Sequence, residues 1–537
     1  MNSKTLMPTR IVVSENTEYA ENLLIEKPLQ PGFSDKDCTV IKKGGFVVLD
    51  FGKEICGGIG AVVFTTGKAP DYAKCRIVFG ESVMEALSSI GHKNATNSHA
   101  VRDLELYVGG KSMLRYGFTG FRFVKIEALD TDITLTVVKA ELDIKDIEYK
   151  GSFECDDERL NKIWQTGAYT VHLNMHDYVW DGIKRDRLVW IGDLNPEIAT
   201  IKAVFGFDES VPNSLDFAKR EFPPTSWINT FPSYSMWWII NHYEWYMQNG
   251  DIDYLKQQLG YISVLIEQAV LWIKTDDKEQ AKIFVDWSSR ADTNAALIGV
   301  YAVMFKAFNT AKEIFSLFGM DEEIKKCESA AKIIADMNLQ PPNQKQIAGI
   351  CAYSGLCESA EVNKNVLSVE PLKGLSTFFG YYVLLARASA GDIEGALNVI
   401  RNYWGAMLDM GATTFWEDFD LDWVEGATPI DRIVPEGGID IHGDFGKFCY
   451  KQFRHSLCHG WAGGPTAFLS RYVLGVEVIE AGCKRIKIRP QMGDLKWVKG
   501  SYPTPYGNIV ITHKKINDVV ETTVSAPDEI IVEVVSE

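Results

Sequence analysis

The hydrophobic period of this chain changes twice, and no single kind of domain accommodates both changes. Up to about residue 150 the apolar residues fall in short alternating or β-branched runs, at 45–51, 60–65, 75–79, 104–108, 121–128 and 133–139. Turn residues such as Gly57-Gly58, Gly109-Gly110 and Thr119-Gly120 separate them, which is the pattern of a β-sandwich. From about 155 the spacing becomes helical. Asp156-Asp157 can cap a helix in which Leu160, Ile163, Trp164 and Ala168 share a face. Helix-length blocks follow near 193–221, 233–249, 252–275, 291–318, 320–338, 374–390, 393–409 and 456–474. Asn249-Gly250-Asp251 and Gly391-Asp392 read as a stop followed at once by a start, so neighbouring helices should form hairpins. After about 476, strand-like runs return at 486–488, 497–500, 509–511 and 530–534. The chain therefore divides into an N-terminal β-domain (1–152), an all-α body with one core (153–475) and a small C-terminal β-domain (476–537).

Composition limits the functions open to such a chain. A length of 537 residues suggests two to four domains, and 46% hydrophobic with 24% charged residues is ordinary for a globular protein. The net charge of −17 argues against nucleic acid or an anionic membrane surface as a partner. No apolar run approaches a membrane span, and residues 1–8 lack the apolar core of a secretory signal. The ten cysteines are scattered without a Cys-x-x-Cys pair, so reduced thiols and a cytoplasmic location are expected. No cofactor is expected: neither a Gly-x-Gly-x-x-Gly nor a P-loop lies in a strand–turn–helix setting. His442 with Asp440 and Asp444 could suggest a metal, but the Gly-rich stretch 425–448 reads better as an inserted loop, and no metal is expected.

The richest chemistry lies in Asp181-Gly182-Ile183-Lys184-Arg185-Asp186-Arg187-Leu188-Val189-Trp190-Ile191-Gly192-Asp193. Three carboxylates and three cations crowd into thirteen residues that include two glycines and a tryptophan. An exposed helix would spread its charges along a face and exclude both glycines, so the choice lies between a salt-bridged surface loop and the wall of a polar pocket. In a pocket, Asp181 and Asp193 can hold hydroxyls, the arginines can position carboxylates, and Trp190 offers a flat face to a sugar ring.

This segment resembles the acidic signature of the glycoside hydrolase family 78 α-L-rhamnosidases, approximately Asp-x-x-x-Arg-Glu-Arg-x-x-Trp-x-Gly-Asp. Asp181, Arg185, Arg187, Trp190, Gly192 and Asp193 fall on the pattern, whereas Asp186 stands where the family has its general-acid glutamate. The missing methylene shortens the reach of that carboxyl by roughly 1.5 Å unless the backbone moves inward. The phrases at 49–54 and 117–124 also resemble the β-domain that precedes the catalytic domain in these enzymes. The resemblance implies that the helical body is an (α/α)6 barrel of six hairpins.

A second constellation, Gly411-Ala412-Thr413-Thr414-Phe415-Trp416-Glu417-Asp418-Phe419, resembles the family's Ala-Thr-Thr-x-Trp-Glu segment. That likeness makes Glu417 the general base and Asp186 the probable general acid. Inverting hydrolysis needs such a pair about 6.5–9.5 Å apart with water between them, and a barrel would bring the two loops to one mouth. Arg185 and Arg187 would favour ionised Asp186, whereas Asp181 and Asp193 folded against it would favour the protonated acid, and sequence leaves both open. Residues 285–290 resemble a family segment with an Asp-Trp pair, here Asp286-Trp287, and 456–459 resemble a Ser-Leu-Asn-His segment whose histidine, here His459, contacts the sugar. Cys458 replaces the usual asparagine. Trp237, in the aromatic helix 233–249, is the member expected to face the pocket, although most of that helix reads as core.

The resulting expectation is an inverting α-L-rhamnosidase acting on small rhamnose-containing glycosides or oligosaccharides, with a homodimer as a possible state. Asp186 and Glu417 would be catalytic, and Asp181, Arg185, Trp190, Asp193, Trp237, Asp286, Trp287 and His459 substrate-binding. The alternatives are the same fold acting on another sugar as glycosidase or lyase, and a sugar-binding member without activity, which the changes at Asp186 and Cys458 make plausible.

Overall fold

The computed structural model describes residues 4–32, 36–65, 72–275, 282–517 and 519–535. Packing divides the chain into two units: Met1–Lys145, Gly182–Arg187 and Met407–His459 form one, and Asp146–Asp181, Leu188–Ala406 and Gly460–Glu537 the other. The first unit therefore takes six residues of the charged motif and the whole of the second constellation.

Seven strands form the sheet of the first unit: β1 (Lys4–Leu6), β2 (Arg10–Glu18), β3 (Thr39–Thr65), β4 (Tyr72–Gly80), β5 (Asp103–Gly109), β6 (Lys111–Ala128) and β7 (Ile133–Leu142). Their order is β1-β7-β3-β6-β4-β5, with β2 also on β3. Residues 133–135 of β7 pair with residues 39–41 of β3 and also with residues 63–65, so the long β3 curls until its two ends flank one strand. Register shifts in β3 between Asp50 and Ile55 and between Gly57 and Ile59 mark the bulges that allow this bend. Alternate residues such as Leu49, Phe51, Phe79, Phe121, Val124 and Ile126 fill the interior. Each fully buried aromatic or branched side chain there contributes about 1.5–3 kcal/mol.

The second unit carries the helices. Asp157 caps Glu158–Asn174 by accepting from the N–H groups of Arg159 and Leu160, as its place before the first apolar turn predicts. Pro232–Asn249 ends at Gly250, whose φ of 75° suits glycine, and Asp251 caps Ile252–Lys274 through the Tyr254 N–H. Asp392 caps the helix that begins at Ile393 in the same way. Pro232–Asn249 packs on Thr293–Leu317, which packs on Asp321–Asp336 and Lys345–Ser354; the latter also packs on Gly380–Ser389. The block expected at 193–221 is two helices, Leu194–Val204 and Ser210–Glu221, broken at Gly206 with φ 83°. Residues 456–459, expected to be helical, are not: they form a non-helical segment with a bend at Leu457, and the helical turns there begin at Gly460.

Two small sheets complete this unit. Trp497–Thr504, Gly507–Ile516 and Val519–Ser525 form an antiparallel meander joined at its edge by Ser152–Cys155, while Val476–Glu480, Arg485–Ile488 and Ile531–Val534 make a three-stranded sheet. Ser152–Cys155 thus belongs with strands more than 340 residues away, which local sequence cannot show.

Candidate active site

In the first unit, residues 182–187 are held by their fit against the sheet. A Cβ at Gly120 would lie 2.8–3.0 Å from Ile183 and Lys184, so the close approach requires glycine in β6. Gly182 is required as well, because a Cβ there would meet the Arg185 carbonyl. Lys184 is buried, and its ammonium lies 2.8 Å from Glu81 and 3.2 Å from Glu85, both fully buried. It also donates to the carbonyls of Phe453 (3.0 Å) and His455 (2.6 Å). Glu81 in turn accepts from Leu457 N (2.7 Å) and Ser456 Oγ (3.1 Å). One buried cation thereby fastens the charged motif to the segment 453–457.

Three distant stretches are then stitched together. Gly182 and His459 form a β-bridge. Glu417 N donates to Ser456 O (3.0 Å), Ser456 N donates to Glu417 Oε2 (3.1 Å), His459 N donates to Phe415 O (3.0 Å), and Thr414 Oγ1 donates to Leu457 O (2.7 Å). The Arg185 guanidinium consequently sits between two carboxylates: Nη2 donates to Glu417 Oε1, and Nη1 lies 3.6 Å from Asp186 Oδ1. The reading that set Arg185 against Asp186 agrees with this geometry, and its contact with the expected base, Glu417, lies beyond that reading. His459 Nε2 lies 3.8 Å from Glu417 Oε1. Burial holds the His459 pKa well below the usual histidine range, and Arg185 adds to that, so the ring is neutral. Burial raises the Glu417 pKa, while Arg185 and the Ser456 N–H pull it down and Asp186 pushes it up. A buried carboxylate held by one arginine and one amide, with its affinity for protons raised, can act as a base. Sequence reasoning had the helical body bring the two loops together; the contacts that do so here run through the N-terminal sheet and Lys184.

The second unit holds the remaining residues. Asp181 Oδ1 accepts from Leu188 N (2.9 Å), and its carbonyl accepts from Gly460 N (2.8 Å), so Asp181 braces its loop. Asp193 accepts from Tyr234 Oη at 2.8 Å. Gly192 must be glycine because Tyr234 covers the space of a Cβ. Trp190, half-buried, meets the edge of Tyr234, and rings continue through Phe231 and Phe284 to Trp287, also half-buried. Asp286 accepts from Ser376 Oγ (2.5 Å) and Ser288 Oγ (3.2 Å), and burial pushes its pKa up to about 6. An acidic and aromatic cluster of this kind can bind hydroxyls and an apolar ring face. Trp237 does not fit its expected place: it is fully buried and stacked on Tyr382 at 5.1 Å, because the helix packs its apolar face inward.

Several groups escaped sequence reasoning. Glu197, one turn after Asp193, is fully buried with neither oxygen hydrogen-bonded among the described residues. Burial, reinforced by Asp193 and Asp181, raises its pKa well above the carboxylate range, so it is a neutral acid. The signal for Lys184 was its place in the charged motif, but nothing local pointed to its partners 99 and more residues away. His442 does not join Asp444 in a metal set. It bonds Ser82 (2.8 Å) and the His455 carbonyl (3.0 Å), and it forms a buried cluster with Glu81 and Glu85, both of which Lys184 contacts.

Comparison with known proteins agrees with this architecture. Residues 148–340 match the bacterial α-L-rhamnosidase six-hairpin glycosidase domain, and residues 475–535 match the bacterial α-L-rhamnosidase C-terminal domain. The crystal structure of a GH78 family rhamnosidase from Bacillus sp. GL1 superposes with a TM-score of 0.76 at 20% identity, over 96% of this chain and 55% of that one. A rhamnosidase from Klebsiella oxytoca with rhamnose bound gives 0.68 at 18% identity, over 87% and 95%. The fold class is thus a multidomain one, a helical body with β-domains, as in the GH78 rhamnosidase structures. Two stretches of the chain, 148–340 and 475–535, are similar to the domains of bacterial α-L-rhamnosidases. An Alteromonas α-L-rhamnosidase is 27% identical over 477 residues, and the chain spans about half of it, 48%.

Proposed function

We propose that this protein is an inverting α-L-rhamnosidase that removes terminal α-L-rhamnose from small glycosides, with Asp186 as general acid and Glu417 as general base. The observation that carries the reading is the placement of Asp186 and Glu417 on one guanidinium, Arg185, with neutral His459 beside Glu417. Asp186 would protonate the departing glycosidic oxygen while Glu417 takes a proton from water attacking the opposite face of the sugar. Arg185 favours the ionised form of Glu417, as a base requires, and compensates the negative charge left on Asp186 when its proton has gone. In the second unit, Asp193, Asp286, Trp190 and Trp287 suit sugar hydroxyls and the rhamnose methyl; their assignment rests on the motifs they occupy. The reading includes the finer fold: six hairpins closed as an (α/α)6 barrel over 153–475, between a β-sandwich at 1–152 and a β-domain at 476–537.

Screening aryl glycosides tests it. Hydrolysis of α-L-rhamnoside well above other α-L- and deoxy-sugars supports the proposal, and a preference for another sugar replaces the substrate while leaving the chemistry. The shorter acid, Asp186, favours one second reading, a sugar-binding member; rhamnose binding without hydrolysis of any glycoside would establish it.

A further inference from the structure

We infer that His99 is the proton relay of Asp186, a positioning residue that returns a proton to the general acid after each turnover; this rests on the assignment of Asp186 as acid. His99 Nε2 lies 3.1 Å from Asp186 Oδ1, and both side chains are partly open to solvent, 28% and 22%. The loop carrying His99 is built to hold it there. Asn97 Oδ1 accepts from Arg102 N (3.1 Å) and Asp103 N (3.2 Å), its Nδ2 donates to Asp103 O (3.0 Å), and Ser98 N donates to Thr96 Oγ1 (3.1 Å). Arg454 Nη1 donates to Ser98 Oγ at 3.3 Å, clamping the loop from the segment that also carries Ser456 and His459.

The charges around the pair limit it to one proton. Arg185 Nη1 stands 3.6 Å from Asp186 Oδ1 and Arg454 Nη2 stands 3.5 Å from His99 Nε2, while Glu417, the other carboxylate in contact with Arg185, is engaged by that arginine. Burial holds the His99 pKa below the usual histidine range; Asp186 opposes that shift, and Arg185 and Arg454 add to it. A neutral ring with its proton on Nδ1 can therefore accept at Nε2 from the Asp186 hydroxyl. In the acid step the Asp186 O–H bond breaks and an O–H bond forms on the leaving oxygen, leaving a carboxylate. His99 then takes a solvent proton at its free Nε2, becoming imidazolium beside the new carboxylate, and passes that proton to Asp186 Oδ1, ending neutral with its proton on Nδ1. The proton drawn from solvent is balanced by the one Glu417 took from the attacking water and gives back.

Two experiments on the full chain decide this. The first is NMR titration of the His99 ring in the unaltered protein and in Asp186→Asn. In the unaltered protein the ring shares one proton with Asp186 and should titrate in two steps, whereas Asp186→Asn should leave a single step, and a titration unchanged by the substitution would overturn the pair whether or not the protein hydrolyses anything. The second compares an alkyl α-L-rhamnoside with the nitrophenyl compound across pH. His99→Gln should lose about tenfold or more on the alkyl substrate, which needs the acid, and less than about threefold on nitrophenyl. Imidazole added to His99→Ala should restore the alkyl activity, and the pH profile of kcat should lose the limb set by the pair. Equal losses on both substrates without imidazole rescue would make His99 merely structural and overturn the relay. If the unaltered protein cleaves no rhamnoside, the proposed function fails, and the titration still decides the pair.

Discussion

Replacing Lys184 with methionine keeps nearly the same side-chain volume and removes the cation that faces Glu81. Lys184 lies 2.8 Å from Glu81 and 3.2 Å from Glu85, and neither carboxylate is accessible to water. The next cation, Arg102, is 3.9 Å from Glu85. Breaking a buried pair on one side typically costs about 3–5 kcal/mol, because the remaining charge stays buried without compensation. For a unit of this size that corresponds to a fall in Tm of about 6–20 °C. The pH dependence has a definite sign. Burial raises the Glu81 pKa above the carboxylate range even with Lys184 present, so its contribution to stability is fullest at acid pH and is lost as pH rises through the raised value. Without the ammonium that value climbs further, so the gap between Lys184→Met and the unaltered protein should be small near pH 5 and large near pH 8. Thermal unfolding followed by circular dichroism at both pH values measures this. A Tm within about 2 °C of the unaltered protein at pH 8, or a gap independent of pH, would refute the view that Lys184 fastens the motif to the sheet.

Other outcomes follow from the same geometry. Glu417→Gln should retain the fold and lose about 10²–10⁴-fold in kcat, and a loss under about fivefold would remove Glu417 from the mechanism. Asp186→Asn should be far more harmful with an alkyl leaving group than with nitrophenol, whereas Asp193→Asn should weaken both alike; kcat on the two substrates separates them. Glu197→Gln replaces a neutral buried acid by a neutral isostere. Since the raised Glu197 pKa makes stability fall as pH rises, the variant should flatten the decline in Tm between pH 5 and 9, and an unchanged slope would contradict a protonated Glu197. Gly460→Ala would place a methyl group on the Glu197 carboxyl, so its Tm should fall clearly in the same scan.

The helical body and its punctuation were legible because apolar spacing and capping are local: Asp157, Gly250-Asp251 and Asp392 act as their positions predict. That the stretches carrying Arg185 and Glu417 would meet was expected only through motifs of a family whose chemistry needs them together, and the contact of Arg185 with Glu417 itself was not foreseen. What escaped depends on pairs with no local signature. Lys184 and Glu85 are 99 residues apart, Ser152–Cys155 closes a sheet of the far C-terminal end, and His99 sits in a loop with nothing unusual around it. Trp237 misled because an aromatic helix reads alike whether its rings face a ligand or a core, and here Tyr382 covers it.

The central claim is that Asp186 and Glu417 act as acid and base across an inverting displacement, and the anomer released first tests it most directly. Proton NMR during the first turnovers of an aryl α-L-rhamnoside, before mutarotation, should show β-L-rhamnose appearing ahead of the α-anomer. Initial release of α-L-rhamnose would mean a covalent intermediate and a closer pair of carboxylates, and would contradict the account.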